Sequence, residues 1–209
     1  MAFPLYQGLP VLDWEPDAIS PSSGLEFRSA KTRWDNTAGR VADDNPYEPG
    51  PRTRRTFRFV LDGRSEIADM VTFLLTQVQG RRLPFWVPNW MPDMLLATAR
   101  VAADDDLYIA PIGYVRSFAG QGRGHAHLAI TPRAAGGGIR YREITHATEE
   151  LDGTERLRLD AALGEDLAVT DPVSFLLLCR ADADLVPLVW HTPELATLEL
   201  PLIDLPWEG

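Results

Sequence analysis

Cysteine is nearly absent: 209 residues contain one, Cys179. A single thiol excludes an intramolecular disulfide framework and a cysteine-based zinc finger. It lies in the apolar run Val173-Ser174-Phe175-Leu176-Leu177-Leu178-Cys179, the setting of a buried, inert thiol. Long apolar runs are missing too, none reaching the roughly 18 to 20 residues of a membrane helix. Met1-Ala2-Phe3-Pro4-Leu5-Tyr6 lacks the charged-then-apolar pattern of a signal peptide. These absences predict a soluble protein without membrane insertion. Nothing repeats with the period of a solenoid or propeller.

Positive charge is in deficit, with 20 Lys and Arg against 30 Asp and Glu, a net charge of −10. Through Leu95 there are 11 basic and 12 acidic residues, and from Leu96 onward 9 and 18. So acidic a second half repels phosphate backbones, which argues against nucleic-acid binding as its purpose. Arg52, Arg54, Arg55 and Arg58 are the local exception, either a solvated strand face or a contact for an acidic protein neighbour.

Catalytic motifs are equally scarce. Gly120-Gln121-Gly122-Arg123-Gly124 and Gly136-Gly137-Gly138 lack the Lys-Ser/Thr ending and following helix of a phosphate loop, and read as loop tips. No serine sits in a Gly-x-Ser-x-Gly elbow, and Cys179 has no histidine nearby in sequence. His125 and His127 would share one face of a strand, but two ligands are not a metal site, and neither His146 nor His191 adds a zinc spacing. Asp104-Asp105-Asp106 reads as a hairpin turn, and Asp182 and Asp184 as a polar turn. No catalytic residue, metal or cofactor is assigned, and the chain reads as a non-enzyme.

What is present is punctuated β structure. In Arg55 to Leu61 the residues Phe57, Phe59 and Leu61 fall on one side and Arg54, Thr56 and Arg58 on the other, the period of a half-buried strand. A helix is predicted over Glu66 to Gln79, with Ser65 as N-cap, Glu66 and Asp69 at its positive end and Gly80 as its stop. Ile67, Met70, Val71, Leu74 and Val78 form its apolar stripe. Leu83 to Asp93 follows, with Pro84, Pro88 and Pro92 bracketing Phe85, Trp86 and Trp90; missing donors make it an edge strand or extended arm. Its rings either cap the core or form a subunit interface.

Residues 1 to 54 read as strands joined by long loops, with an exposed loop over Val41 to Arg52. From Leu96 short strands succeed one another: Leu96 to Ala102, Leu107 to Ile112, Tyr114 to Phe118, Ala126 to Thr131, Ile139 to Thr145, Arg156 to Leu159, Val173 to Arg180, Val186 to His191 and Leu195 to Leu205. The expected fold is mainly β (α+β with one principal helix), an antiparallel sandwich or split barrel with a second β-rich part. Residues 1–95 form one expected domain and 96–209 another, with the strand over 195–205 returning to the first.

The order of these pieces resembles the distal tail proteins of long-tailed bacteriophages and gene transfer agents. The likeness rests on the Arg-rich strand, the Ser65 to Gln79 helix, Gly80-Arg81-Arg82-Leu83-Pro84-Phe85-Trp86 and the arm to Asp93. It continues in Asp171-Pro172-Val173-Ser174-Phe175, Arg180 to Leu185 and the terminal Leu200-Pro201-Leu202-Ile203-Asp204-Leu205, altogether about half of the chain. Between Val101 and Leu167 it matches only as a β-rich stretch. The resemblance implies a homohexameric ring at the tail tip of the virion, assembled in the bacterial cytoplasm. Its partners would be the tail tube protein, the hub and the tape-measure protein, with DNA only passing through the lumen; the charge asymmetry, separately, suggests a lumen made acidic by the second half. Phe85, Trp86 and Trp90 would lie at or under the contact between copies, and Arg54, Arg58 and Arg82 towards a neighbouring ring. Two other classes compete: a carbohydrate-binding β-sandwich using exposed tryptophans, and a cell-wall hydrolase using acids such as Asp182 and Asp184.

Overall fold

The computed structural model of the chain describes residues 3–19, 26–28, 52–119, 125–133 and 138–205. The exposed loop expected from Val41, apart from Arg52, and most of both glycine-rich pieces lie outside them. The first strands are β1 (Leu5–Tyr6), β2 (Leu9–Pro10), β3 (Ala18–Ile19), β4 (Glu26–Arg28) and β5 (Arg52–Asp62). Helix α1 (Arg64–Phe73) leads to β6 (Phe85–Pro88), β7 (Asp106–Ile109) and the short α2 (Tyr114–Ser117). The remaining strands are β8 (His127–Ile130), β9 (Arg140–Glu149), β10 (Glu155–Leu159), β11 (Val173–Ala181), β12 (Leu188–Thr192) and β13 (Leu195–Asp204).

The architecture is mainly β and antiparallel, with one principal helix. β1 and β2 form a hairpin, and the other strands join one network in the order β3-β5-β13-β11-β8-β9-β10-β7, with β12 beside β13, β4 beside β5 and β6 beside β11. β13 pairs with β5 from Leu195↔Asp62 to Ile203↔Arg54.

β11 shows how alternation builds two cores. Phe175, Leu177 and Cys179 enter the larger one, while Leu176 and Leu178 enter a smaller one with Tyr6, Val11, Trp86, Ala129 and Leu205. Successive side chains point to opposite faces, so a continuous apolar run signals a strand covered on both. β6 follows the same parity, with Phe85 and Val87 on the larger core and Trp86 on the smaller. In β5 the expected period holds: Phe57, Phe59 and Leu61 are buried and Arg58 and Val60 exposed.

Three local expectations change. Ser65 is not the N-cap: Gly63, at φ 95, leads into the helix, and Glu66 reaches back to accept the Asp62 N–H at 2.8 Å. After Phe73 the helix widens into a π-helical turn over Leu74–Val78, then stops at Gln79 and Gly80, both with positive φ. Tyr114 to Phe118 is a helix rather than a strand. Gly113, at φ 75, reverses the chain, and the Glu155 carboxylate accepts the Ile112 and Val115 N–H groups at 2.9 and 2.8 Å. Finally, β6 is flanked on both sides, by β11 and by a bridge from Val11 with the Leu12 N–H donating to the Trp86 carbonyl at 2.8 Å. Pro84 precedes β6 and Pro88 closes it, so neither removes an interior donor.

Candidate functional site

Beyond Pro88 the chain leaves the ladder and returns to it at Met94. The Asn89 N–H donates to the Phe175 carbonyl at 2.8 Å and the Met94 N–H to Val173 at 3.1 Å. Between them the Asp93 carboxylate takes the Phe175 N–H at 2.8 Å, doing with a side chain what a neighbouring strand does with its carbonyl. The Asn89 amide donates to both Asp93 oxygens at 2.9 Å and accepts from Arg55 at 2.6 Å. Arg55 also binds Asp204 at 2.8 Å, and the other Asp204 oxygen receives the Cys179 thiol at 3.4 Å. A relay of Asp93, Asn89, Arg55 and Asp204 thus ties the loop to β5 and β13, satisfying charges that would be costly if left unpaired.

The loop so held is apolar at its tip. Met91 is 49% exposed and Leu95, just beyond the loop, 61%, with Pro92 exposed beside Met91. Trp90 turns the chain at φ 58 and packs half-buried against the larger core. A non-glycine residue there costs of order 1 kcal/mol or more and persists because its surroundings over-determine it. A loop ordered in advance gives up less entropy on docking.

Its electrostatics argue against nucleophilic chemistry. Burial pushes the Cys179 thiol well up, and the neighbouring Asp204 charge adds to this, keeping the thiolate scarce. Burial holds His125 below its ordinary value; Asp93 and Asp204 oppose that shift and Arg55 reinforces it.

The residues singled out in the sequence do not form one cluster. Phe85 and Trp86, at 0% and 2% exposure, lie in opposite cores. Trp90 belongs to the pinned loop. Arg54 forms an ion pair with Asp182, Arg82 bonds Gln79 at 3.3 Å, and Arg58 is exposed opposite Glu199. Sequence reading grouped Arg55 with the solvated or partner-facing arginines, although it shares the parity of Phe57, Phe59 and Leu61 and pairs within the chain with Asn89 and Asp204. An arginine in phase with a buried face was the available signal.

His125 and His127 diverge. His127 is buried, 3.0 Å from the Tyr6 hydroxyl with its ring 4.7 Å from that of Trp86, whereas His125 meets Phe118 and Phe175. Among the described residues no group of three or more His, Cys, Asp or Glu is placed to hold a metal ion. Asp182 and Asp184 organise a junction: the Asp182 carbonyl receives the Arg81 guanidinium at 2.6 and 3.0 Å, and the Asp184 carboxylate receives the Arg81 N–H at 3.2 Å. Asp104, Asp105 and Asp106 each meet an arginine, Arg100 at 3.1 Å, Arg158 at 2.7 Å and Arg156 at 2.5 Å. That stretch is charge-compensated by its own arginines. Compared with models of known protein families and with curated proteins, the chain matches none.

Proposed function

We propose that the protein is a structural subunit working by contact, a distal-tail-type component of a phage tail tip that assembles as a hexameric ring between tail tube and hub. The pinned loop carries this reading: an apolar tip at Met91, with Leu95 exposed just beyond the loop, held by a polar relay rather than by its own burial. A ring also needs two unlike patches, because each copy meets the next through a different surface. The second is β12, which pairs with β13 on one side and leaves Val189 and Trp190 about half exposed, with Leu185 exposed in the loop before it. Its residues Leu188-Val189-Trp190-His191-Thr192 include no Lys, Asp, Glu or Pro, the residues that usually guard an edge strand.

Assembly tests this directly. The chain is mixed with its tail tube and hub partners and weighed by native mass spectrometry and mass photometry. Hexamers on the template, lost in a Met91→Asp, Leu95→Asp variant that melts within about 2 °C of the wild type, are the expected result; surface substitutions of that kind change stability by only about 0.5 kcal/mol. Binding of the lone monomer to cell-wall glycan, abolished by Trp190→Ala, is the outcome that would replace the ring with a sugar-stacking module.

A further inference from the structure

Among the described residues, accessible sulfur is confined to one place. Met70 and Cys179 are fully buried and Met94 nearly so, while Met91 stands half exposed at the loop tip. Met91 and Met94 are close in sequence, yet the pinned loop turns the first outward and packs the second into the larger core. We propose that Met91 is a selective oxidation site, at which a hydroperoxide converts the thioether to the sulfoxide and reversibly removes the apolar character of the tip.

With hydrogen peroxide as the oxidant, the sulfur lone pair attacks one peroxide oxygen, the O–O bond breaks and a sulfur–oxygen bond forms. The other oxygen departs with both protons as water, so sulfur loses two electrons and the peroxide gains them. Access decides which sulfur reacts. Met91 meets solvent directly, whereas Met70, Met94 and Cys179 are reached only through an opening of the fold. Burial also holds the Cys179 thiol well up, so little thiolate competes for the oxidant. The sulfoxide is polar, and it arises on a tip whose neighbours Pro92 and Leu95 are exposed and apolar. The anchors stay as they are. They run through the side chains of Asn89, Asp93, Arg55 and Asp204, and Met91 adds only its carbonyl, which receives the Asp93 N–H at 2.8 Å. Oxidation therefore changes the surface of the loop and leaves its position alone. Any effect on assembly rests on the reading of this loop as a contact surface; the selectivity and the lost apolarity do not.

The full chain is treated with hydrogen peroxide at neutral pH, and each methionine, Met1 included, is followed in its own peptide by mass spectrometry. Met91 is expected to oxidise at least about tenfold faster than Met70 and Met94. Hydrophobic-interaction chromatography then reads the surface. The oxidised wild type elutes earlier, and methionine sulfoxide reductases restore its retention. Met91→Leu keeps the volume without the sulfur and does not shift on oxidation, while Met91→Gln elutes early before any oxidant is added. Hexamers on tube and hub form roughly tenfold less tightly after oxidation. Equal rates at the three methionines, a retention that does not move, or hexamers undiminished by the Met91 sulfoxide overturn the proposal. Selective oxidation and earlier elution in a chain that never forms hexamers uphold it and overturn the ring.

Discussion

Replacing Arg55 with methionine keeps much of the side-chain volume and removes both bonds that the guanidinium makes, to Asn89 at 2.6 Å and to Asp204 at 2.8 Å. The Arg55 and Asp204 side chains are 17% and 15% exposed, so the pair is largely withdrawn from water and only lightly screened. Removing one partner leaves the Asp204 carboxylate short of its cation and the Asn89 oxygen without its donor. Breaking such a pair costs about 3 kcal/mol, against 0 to 1 for an exposed one. For a chain of this size that lowers the melting temperature by about 6 to 12 °C. Arg58→Met, on the exposed phase of the same strand, is the control, with a change of about 0.5 kcal/mol or less. Differential scanning calorimetry reads both, and a double-mutant cycle with Asp204→Asn reads the pair alone, with a coupling of about 1.5 to 3 kcal/mol. A loss for Arg55→Met no larger than for Arg58→Met would refute the relay as the loop's anchor.

Two further substitutions probe the elements around it. Gly80 has φ +67, and an added Cβ would sit 3.2 Å from both the Asp184 Cα and its Oδ1; Gly80→Ala is expected to cost about 1 to 2 kcal/mol, measured by urea unfolding, and a neutral result would mean that the junction relaxes freely. For Glu155 burial disfavours the charge, but N–H groups of Val115, Ile112, Tyr114 and Gly113 outweigh it and hold the carboxyl below its ordinary 4.5. Its stabilising contribution is therefore present above that value and lost as pH falls through the depressed one. Glu155→Gln should flatten the melting-temperature profile in this acid range, and an unchanged slope would assign the acid sensitivity to other groups.

Legibility followed how locally each feature is determined. The alternation of β5, the apolar stripe ending in Val78 and the two-sided run of β11 are set by neighbours in sequence, so their periods are visible before folding. The helix at Tyr114–Ser117 was not, because the group that fixes its start is Glu155, some 40 residues away. The aromatic arm reads in sequence as an edge strand or extended arm, but β6 is no edge, because Val11 and Leu12 cover its second side and the prolines concealed this. The relay fell furthest from view. Asp93, Asn89, Arg55 and Asp204 are ordinary surface residues in sequence, and only the pairing of β5 with β13 brings the last two together.

That pairing also governs synthesis. Residues 54–62 cannot complete their ladder until residues 195–203 have left the ribosome, because the two segments are hydrogen-bonded neighbours across most of the chain's length. During translation Phe57, Phe59 and Leu61 wait without their final cover, and contacts so distant in sequence form slowly. Slowed elongation near the C-terminus is therefore expected to lower the folded yield more than slowing elsewhere.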